Sequence, residues 1–181
     1  MFFLRKSTLE RLPVVMSGVR MGERALQIGV DESSLVGAIA AKVGLSGHAA
    51  VAVANEGAAT KARAAAQRAG ALVDVQLAPF DSLPFSDSDF DVVIVHAGGV
   101  QQGFGDASGV ALLRDAFRVL RSGGRVVIID GSGGLMGKIR TSGHADTPVM
   151  LGALDTAGFR ATRLLAEREG YRFLEGLKRE A

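Results

Sequence analysis

Short apolar runs alternate along the chain with segments whose apolar positions recur at helical spacing. That alternation predicts a parallel sheet covered on both faces by helices. Residues 24–29 read as the first strand. Asp31-Glu32-Ser33-Ser34 follows as a helix-start signal, Leu35, Val36, Ile39, Ala40 and Val43 continue at helical spacing, and Gly44 ends the run. Residues 49–54 read as the second strand, 56–69 as an alanine-rich helix stopped by Gly70, and 72–77 as the third strand. A loop over 79–88 holds Pro79 and Pro84. The fourth strand is expected at 90–96 and a loop at 98–108.

A helix over 109–121 carries Leu112, Leu113, Ala116, Phe117 and Leu120 on one face, and Gly123 suits the left-handed position that closes a helix. The fifth strand follows at 125–130, a glycine-rich loop at 131–147 and a short helix at 148–157. Two last strands, 159–167 and 171–178, are joined at Glu169-Gly170.

Composition narrows the class. A chain of 181 residues fits one domain with a proper core. Residues 1–20 read as an N-terminal lid ahead of a single domain over 21–181. Hydrophobic residues at 48% and charged residues at 22% are ordinary for a globular protein. Without cysteine there is neither a disulfide nor a thiolate metal site, and His48, His96 and His144 lack ligand-like spacing, so no metal is expected. The net charge is +2, and acids interleave with the basic residues at both ends. That pattern fits a solvated surface rather than a nucleic-acid footprint. The start, Met1-Phe2-Phe3-Leu4-Arg5-Lys6, has no signal-peptide core, and no apolar run reaches membrane-spanning length. The expectation is a cytoplasmic chain without stable membrane insertion.

Two phrases carry more information. Leu83-Pro84-Phe85 leads into Phe90-Asp91-Val92-Val93, and Arg118-Val119-Leu120-Arg121-Ser122-Gly123-Gly124-Arg125 leads into the fifth strand. Together they resemble the middle of a class I S-adenosylmethionine (SAM)-dependent methyltransferase of the type 11 kind, and the resemblance extends over about 21–179. It implies a Rossmann-like seven-stranded sheet with helices on both faces and a C-terminal antiparallel strand pair. It also implies SAM above the first strand–helix turn, where the family has an acid followed by G-x-G-x-G.

Here Gln27 stands for the acid, Gly29 keeps the first glycine, and Asp31 and Ser33 replace the other two. Asp31 would crowd the approach of the methionine part. An acid that holds the ribose hydroxyls maps onto Val53, with Asn55 two residues on; one that contacts adenine maps onto Pro79, followed by Phe80 and Asp81. The resemblance therefore nominates Gln27, Gly29, Asp31, Ser33, Asn55, Phe80 and Asp81 for the cofactor. His96, at the end of the fourth strand, is nominated as a base; a polar residue closing a strand is the alternative. Asp31, Glu32 and Ser33 also read as a helix cap worth about 0.5–2 kcal/mol, and Asn55 as the start of the next helix. Gln101, Gln102 and His144 lie on loops that would face the same opening.

Two functions follow. One is a SAM-dependent methyltransferase of a small, rather apolar molecule, on the strength of Phe2, Phe3, Leu4, Val14, Val15, Met16, Leu135 and Met136 in the flanking segments. The other is a non-catalytic member of the fold that serves as a binding or assembly subunit. The partner is accordingly a small molecule or a protein, and a homo-oligomer stays open. Residues 132–139 only brush a phosphate-binding loop, and no G-x-G-x-x-G follows the first strand.

Overall fold

The computed structural model describes residues 11–100, 103–131 and 145–179. The elements run α1 (Leu12–Met16), β1 (Arg24–Ile28), α2 (Ser33–Val43), β2 (His48–Val53), α3 (Glu56–Ala69), β3 (Asp74–Leu77) and β4 (Phe90–His96). A single 3-10 turn, Ala97–Gly99, precedes α4 (Ala107–Val119) and β5 (Leu120–Gly131). Then come α5 (Thr147–Ala157), β6 (Arg160–Arg168) and β7 (Tyr171–Leu177). The seven strands form one sheet in the order β3-β2-β1-β4-β5-β7-β6. Strands β1 to β5 pair in parallel, while β7 runs antiparallel to both β5 and β6. The alternating pattern predicts the helix-covered parallel strands, and the seven-stranded Rossmann-like sheet with its antiparallel end pair is the one the resemblance implies.

Both sheet faces are dry because each central strand spends its alternate side chains on opposite layers. Leu26, Ile28, Val93, Val95, Val126 and Ile128 pack with α4 and α5 in one cluster. Ala25, Val92, Ile94, Val127 and Ile129 pack with α1 and α2 in the other. Val14 and Val19 are fully buried in that second layer, so the described part of the N-terminal segment is built into the core. Of the lid segment expected at 1–20, residues 1–10 lie outside the described residues.

Several boundaries shift for identifiable reasons. β3 begins at Asp74 rather than residue 72, because only 74–77 find partners on β2. α4 starts two residues early, where Asp106 Oδ1 accepts from the Gly109 amide at 2.9 Å. Gly123 does take positive φ, +77°, yet it closes no helix. α4 passes at Leu120 straight into extended backbone, and Gly123 lies within β5, donating to the Lys178 carbonyl at 2.8 Å. The end of α4 is satisfied instead by Lys178, whose ammonium donates to the Phe117 and Leu120 carbonyls at 2.8 and 2.6 Å. Glu169 and Gly170 both have positive φ, which a tight hairpin requires.

Buried charges tie the layers together. Arg172 on β7 donates to Asp130 Oδ2 from Nε at 3.1 Å and Nη2 at 2.5 Å. It also reaches Thr147 Oγ1 and the Ala145 carbonyl at the start of α5. Asp130 is fully buried and Arg172 nearly so. Arg172→Met removes these charge-assisted hydrogen bonds and is expected to cost about 1.5–3 kcal/mol in urea unfolding.

Candidate functional site

The site forms where β1, β2 and β4 end. Gln27 opposes Ile94 and Ile28 opposes Val95, so the turns leaving β1 and β4 emerge side by side. Gly29 takes φ +78°, and its amide donates to the Ala52 carbonyl at 2.9 Å. A Cβ there would lie 2.8 Å from the Gly99 carbonyl carbon. A Cβ on Gly99 would lie 2.3 Å from the Val30 amide nitrogen, and one on Gly98 only 2.1 Å from Asp31 Oδ2. Gly29 is needed for this loop-to-loop contact whatever ligand binds. Gly98 and Gly99 complete it. Sequence reasoning missed them, although a glycine pair directly after a strand was the available signal.

Beneath the turns sits a buried polar pair. Gln27 and His96 are 1% and 2% exposed, and Gln27 Oε1 lies 2.9 Å from His96 Nε2. The Gln27 amide nitrogen donates to the Val36 carbonyl in α2 at 3.0 Å. Its oxygen must then be what faces His96, so His96 Nε2 carries the hydrogen and Nδ1 holds the lone pair. Burial pushes the His96 pKa down to about 4, with only the Glu32 charge pulling the other way. The ring is neutral at pH 7, so it takes up a proton poorly.

Glu32 is the N-cap residue of α2, but its side chain makes no capping hydrogen bond. Its carboxylate instead binds the Arg11 guanidinium, Ser34 Oγ at 3.0 Å and Tyr171 Oη at 2.7 Å. Burial works to raise its pKa, but the hydrogen bonds from Arg11, Tyr171 and Ser34 outweigh that and hold it below the ordinary carboxylate value. The cap expected from Asp31, Glu32 and Ser33 is thus a three-way tie between the N-terminal segment, α2 and β7. It was invisible in sequence because Arg11, Glu32 and Tyr171 are far apart along the chain.

A cleft of about 210 Å³ opens at the ends of β1 and β2, walled by Gly29, Val30, Ala54, Asn55, Pro79 and Phe80 among others. Val53 also lines it and is fully buried. Asn55 caps α3, its Oδ1 accepting from the Ala58 amide at 2.9 Å, which is the alternative role its sequence position suggests. Phe80 is buried in the larger core cluster, whereas Asp81 is exposed and does not line the cleft. Asp31 is exposed at the turn, and Ser33 begins α2. The structure therefore gathers Gly29, Asn55 and Phe80 around one opening, sets Gln27 and His96 beneath it, and leaves Asp81 outside. Gln101, Gln102, His144 and the apolar residues 2–4, 135 and 136 lie outside the described residues.

The lining suits part of SAM. Apolar walls with the Phe80 segment at one end match a flat base. Among the described residues no carboxylate lines the cleft for the ribose hydroxyls, and the Asp31 carboxylate lies against Gly98, near where the resemblance puts the methionine part. Among the described residues no group of three or more His, Asp or Glu side chains is placed to hold a metal ion, and no helix is long and apolar enough to cross a membrane.

With this geometry in place, comparison with known proteins is decisive for the family. Residues 26–128 match the methyltransferase type 11 domain, so the chain belongs to the methyltransferase type 11 family, whose members use SAM. It is 32% identical over 114 residues to the ubiquinone/menaquinone biosynthesis C-methyltransferase UbiE of Chromobacterium violaceum, an alignment covering 63% of this chain and 45% of that protein. The chain spans about half the length of the curated relatives it matches. Among solved structures, a SAM-dependent methyltransferase from Aquifex aeolicus superposes with a TM-score of 0.73 at 18% identity, covering 92% of this chain and 87% of that one. The [4+2]-cyclase SpnF superposes at 0.70 and 16% identity, covering 94% and 81%. Both share the fold.

Two tests follow from the site. His96 binds its proton more weakly folded than unfolded, where its pKa is near 6.5. Stability is then complete above about pH 6.5 and falls as pH drops toward 4, by about 3 kcal/mol in all. His96→Gln should flatten that stretch of the pH–stability curve in urea titrations, leaving the carboxylate-driven loss at lower pH. The glycines should separate as well. Gly99→Ala meets backbone and is expected to cost about 1–3 kcal/mol, whereas Gly98→Ala meets only the movable end of Asp31 and should cost less than about 1 kcal/mol in the same assay.

Proposed function

We propose that this chain is a SAM-dependent methyltransferase acting on a small, rather apolar molecule. The observation that carries the reading is the cleft at the carboxyl ends of β1 and β2, where a sheet of this kind binds its ligand, in a chain of this family. The base would rest between the Val30–Ala54 and Pro79–Phe80 walls. When bound, SAM supplies an electrophilic methyl group. The chain's own part is mainly positioning, with no strongly basic group lining the cleft among the described residues. His96 takes no proton readily at neutral pH. Its contribution is to hold Gln27, through Nε2–H, beneath the turn that carries the ligand.

A second reading, a non-catalytic subunit of the same fold, draws on Asp31. Its carboxylate lies against Gly98, and no acid among the described residues lines the cleft. The likeness to a protein named as a cyclase also illustrates that this fold does not fix the reaction.

Calorimetric titration with SAM and S-adenosylhomocysteine separates the two. Micromolar binding supports the methyltransferase; no heat at millimolar ligand supports the subunit and turns the search to protein partners. Asp31→Gly removes a negative charge from the approach of the ligand's carboxylate. It should tighten SAM binding by about tenfold, a change of about 1.4 kcal/mol. Unchanged affinity would mean that the amino-acid end of the ligand lies elsewhere.

A further inference from the structure

The amino-terminal edge of the sheet, opposite the cleft, presents the most exposed large apolar side chains of the fold. Leu45 is 85% exposed, Leu72 80% and Met21 79%, and no other large apolar side chain among the described residues exceeds 51%. The three occupy equivalent places. Met21 and Leu45 stand three residues ahead of β1 and β2, and Leu72 two ahead of β3. Those strands are parallel neighbours, so the segments that lead into them lie side by side. The first two touch: the Gly22 amide donates to the Val43 carbonyl at 2.9 Å, and Met21 Cγ lies 3.4 Å from where a Cβ on Gly44 would stand. Leu72 faces outward between Ala71 and Val73, which both pack on the core. One exposed leucine is ordinary, but three such side chains along one edge mark a surface that binds something.

Charge indicates what that is. Arg20 is beside Met21, Lys42 three residues before Leu45 and Arg68 four before Leu72, and none of these cations has an ion-pair partner among the described residues. Lys42 and Arg68 also complement the dipoles of α2 and α3 from their last turns, which leaves their charge available at the surface. Most acids of this edge are occupied. Glu23 pairs with Arg125 at 3.0 Å, Asp89 with Arg24 at 2.7 Å, and Asp91 with Arg121. Asp74, at the start of β3, accepts from Gln76 Nε2 at 2.7 Å and has no ion-pair partner among the described residues. Positive charge is therefore in surplus around the apolar tips. A protein partner would need a contiguous surface of about 800 Å² a side, and three side chains on separate segments fall short of it. A fluid lipid surface asks for no shape match: apolar tips enter below the headgroups, and lysine and arginine meet the anionic groups above them.

We infer that this edge is a peripheral docking surface for an anionic lipid bilayer, with the cleft turned toward water. The inference is independent of which ligand the cleft holds. It concerns attachment rather than insertion, since no described helix is long and apolar enough to cross a membrane.

The test is co-sedimentation of the full chain with vesicles of phosphatidylcholine alone and of phosphatidylcholine mixed equally with phosphatidylglycerol. The expected result is binding to the anionic vesicles at least about tenfold tighter than to the neutral ones, and lost at high salt. Arg20→Gln, Lys42→Gln and Arg68→Gln combined should weaken it by about a hundredfold, since each cation near an anionic surface is worth about fivefold. Met21→Ser, Leu45→Ser and Leu72→Ser combined should weaken it by at least about tenfold. A control that pairs Arg114→Gln with Val149→Ser, at exposed positions on α4 and α5, should bind as the unaltered chain does. Unchanged urea midpoints would show that the variants keep the fold. No binding to either vesicle at millimolar lipid would overturn the inference, as would binding that both triple variants leave unchanged. A dimer abolished by the apolar triple variant, in a chain that ignores vesicles, would make the edge a contact between copies and overturn it as well.

Discussion

Parallel strands β1 and β4 run side by side in register, and everything that leaves their carboxyl ends must share one small volume. The two turns meet there backbone to backbone. Gly29 and Gly99 permit it because neither carries a Cβ, and a side chain at either would press on the other turn's main chain. The contact fixes where Asp31 can go, against Gly98, and leaves the open space on the other side, toward β2 and the Pro79–Phe80 segment. It also buries the ends of both strands, so Gln27 and His96 satisfy each other and α2 rather than a ligand.

The polar groups around the site thus serve two ends. Some hold the frame. Glu32 joins the N-terminal segment to α2 and β7, and Arg172 joins β5, β7 and the start of α5 around Asp130. Arg118 holds the loop next to the cleft, with Nη2 on the Leu83 carbonyl at 3.0 Å and Nη1 on the Phe85 carbonyl at 2.8 Å. The hydrogen bonds that Arg118 donates to Asp115 and Asp87 raise its pKa above the ordinary arginine value, with burial opposing them. Few polar groups face the cleft itself. A frame so heavily cross-linked around a cleft so sparsely furnished accounts for a fold more legible than the activity.

Much of that frame was legible in the residues. Val92–Val95 and Val126–Ile129 are buried without a break, alternate residues going to opposite core layers, as their continuous apolar runs imply, and β4 falls at 90–96 as read. The Asn55 cap and the positive φ of Glu169-Gly170 were local signals that local physics honoured. Gly123 was read correctly in its backbone angle and wrongly in its purpose. Whether a glycine with positive φ ends a helix or bends a strand depends on what pairs with it, and here Lys178 does.

Sequence by itself determined what depends on neighbours in the chain: the alternation of strands and helices, the family phrases around Leu83–Phe85 and Arg118–Gly124, and the presence of Gln27, Val53 and Pro79 where the resemblance leads one to expect acids. Only the tertiary structure decided what the polar residues there do. Gln27 pairs with His96 69 residues away, and Glu32 with Tyr171 139 residues away. The charge state of His96 follows from burial that no neighbour in sequence supplies. Hydrogen bonds and desolvation act through space over a few ångströms, and the distances that govern this site exist only once the sheet has brought β1, β4 and β7 together.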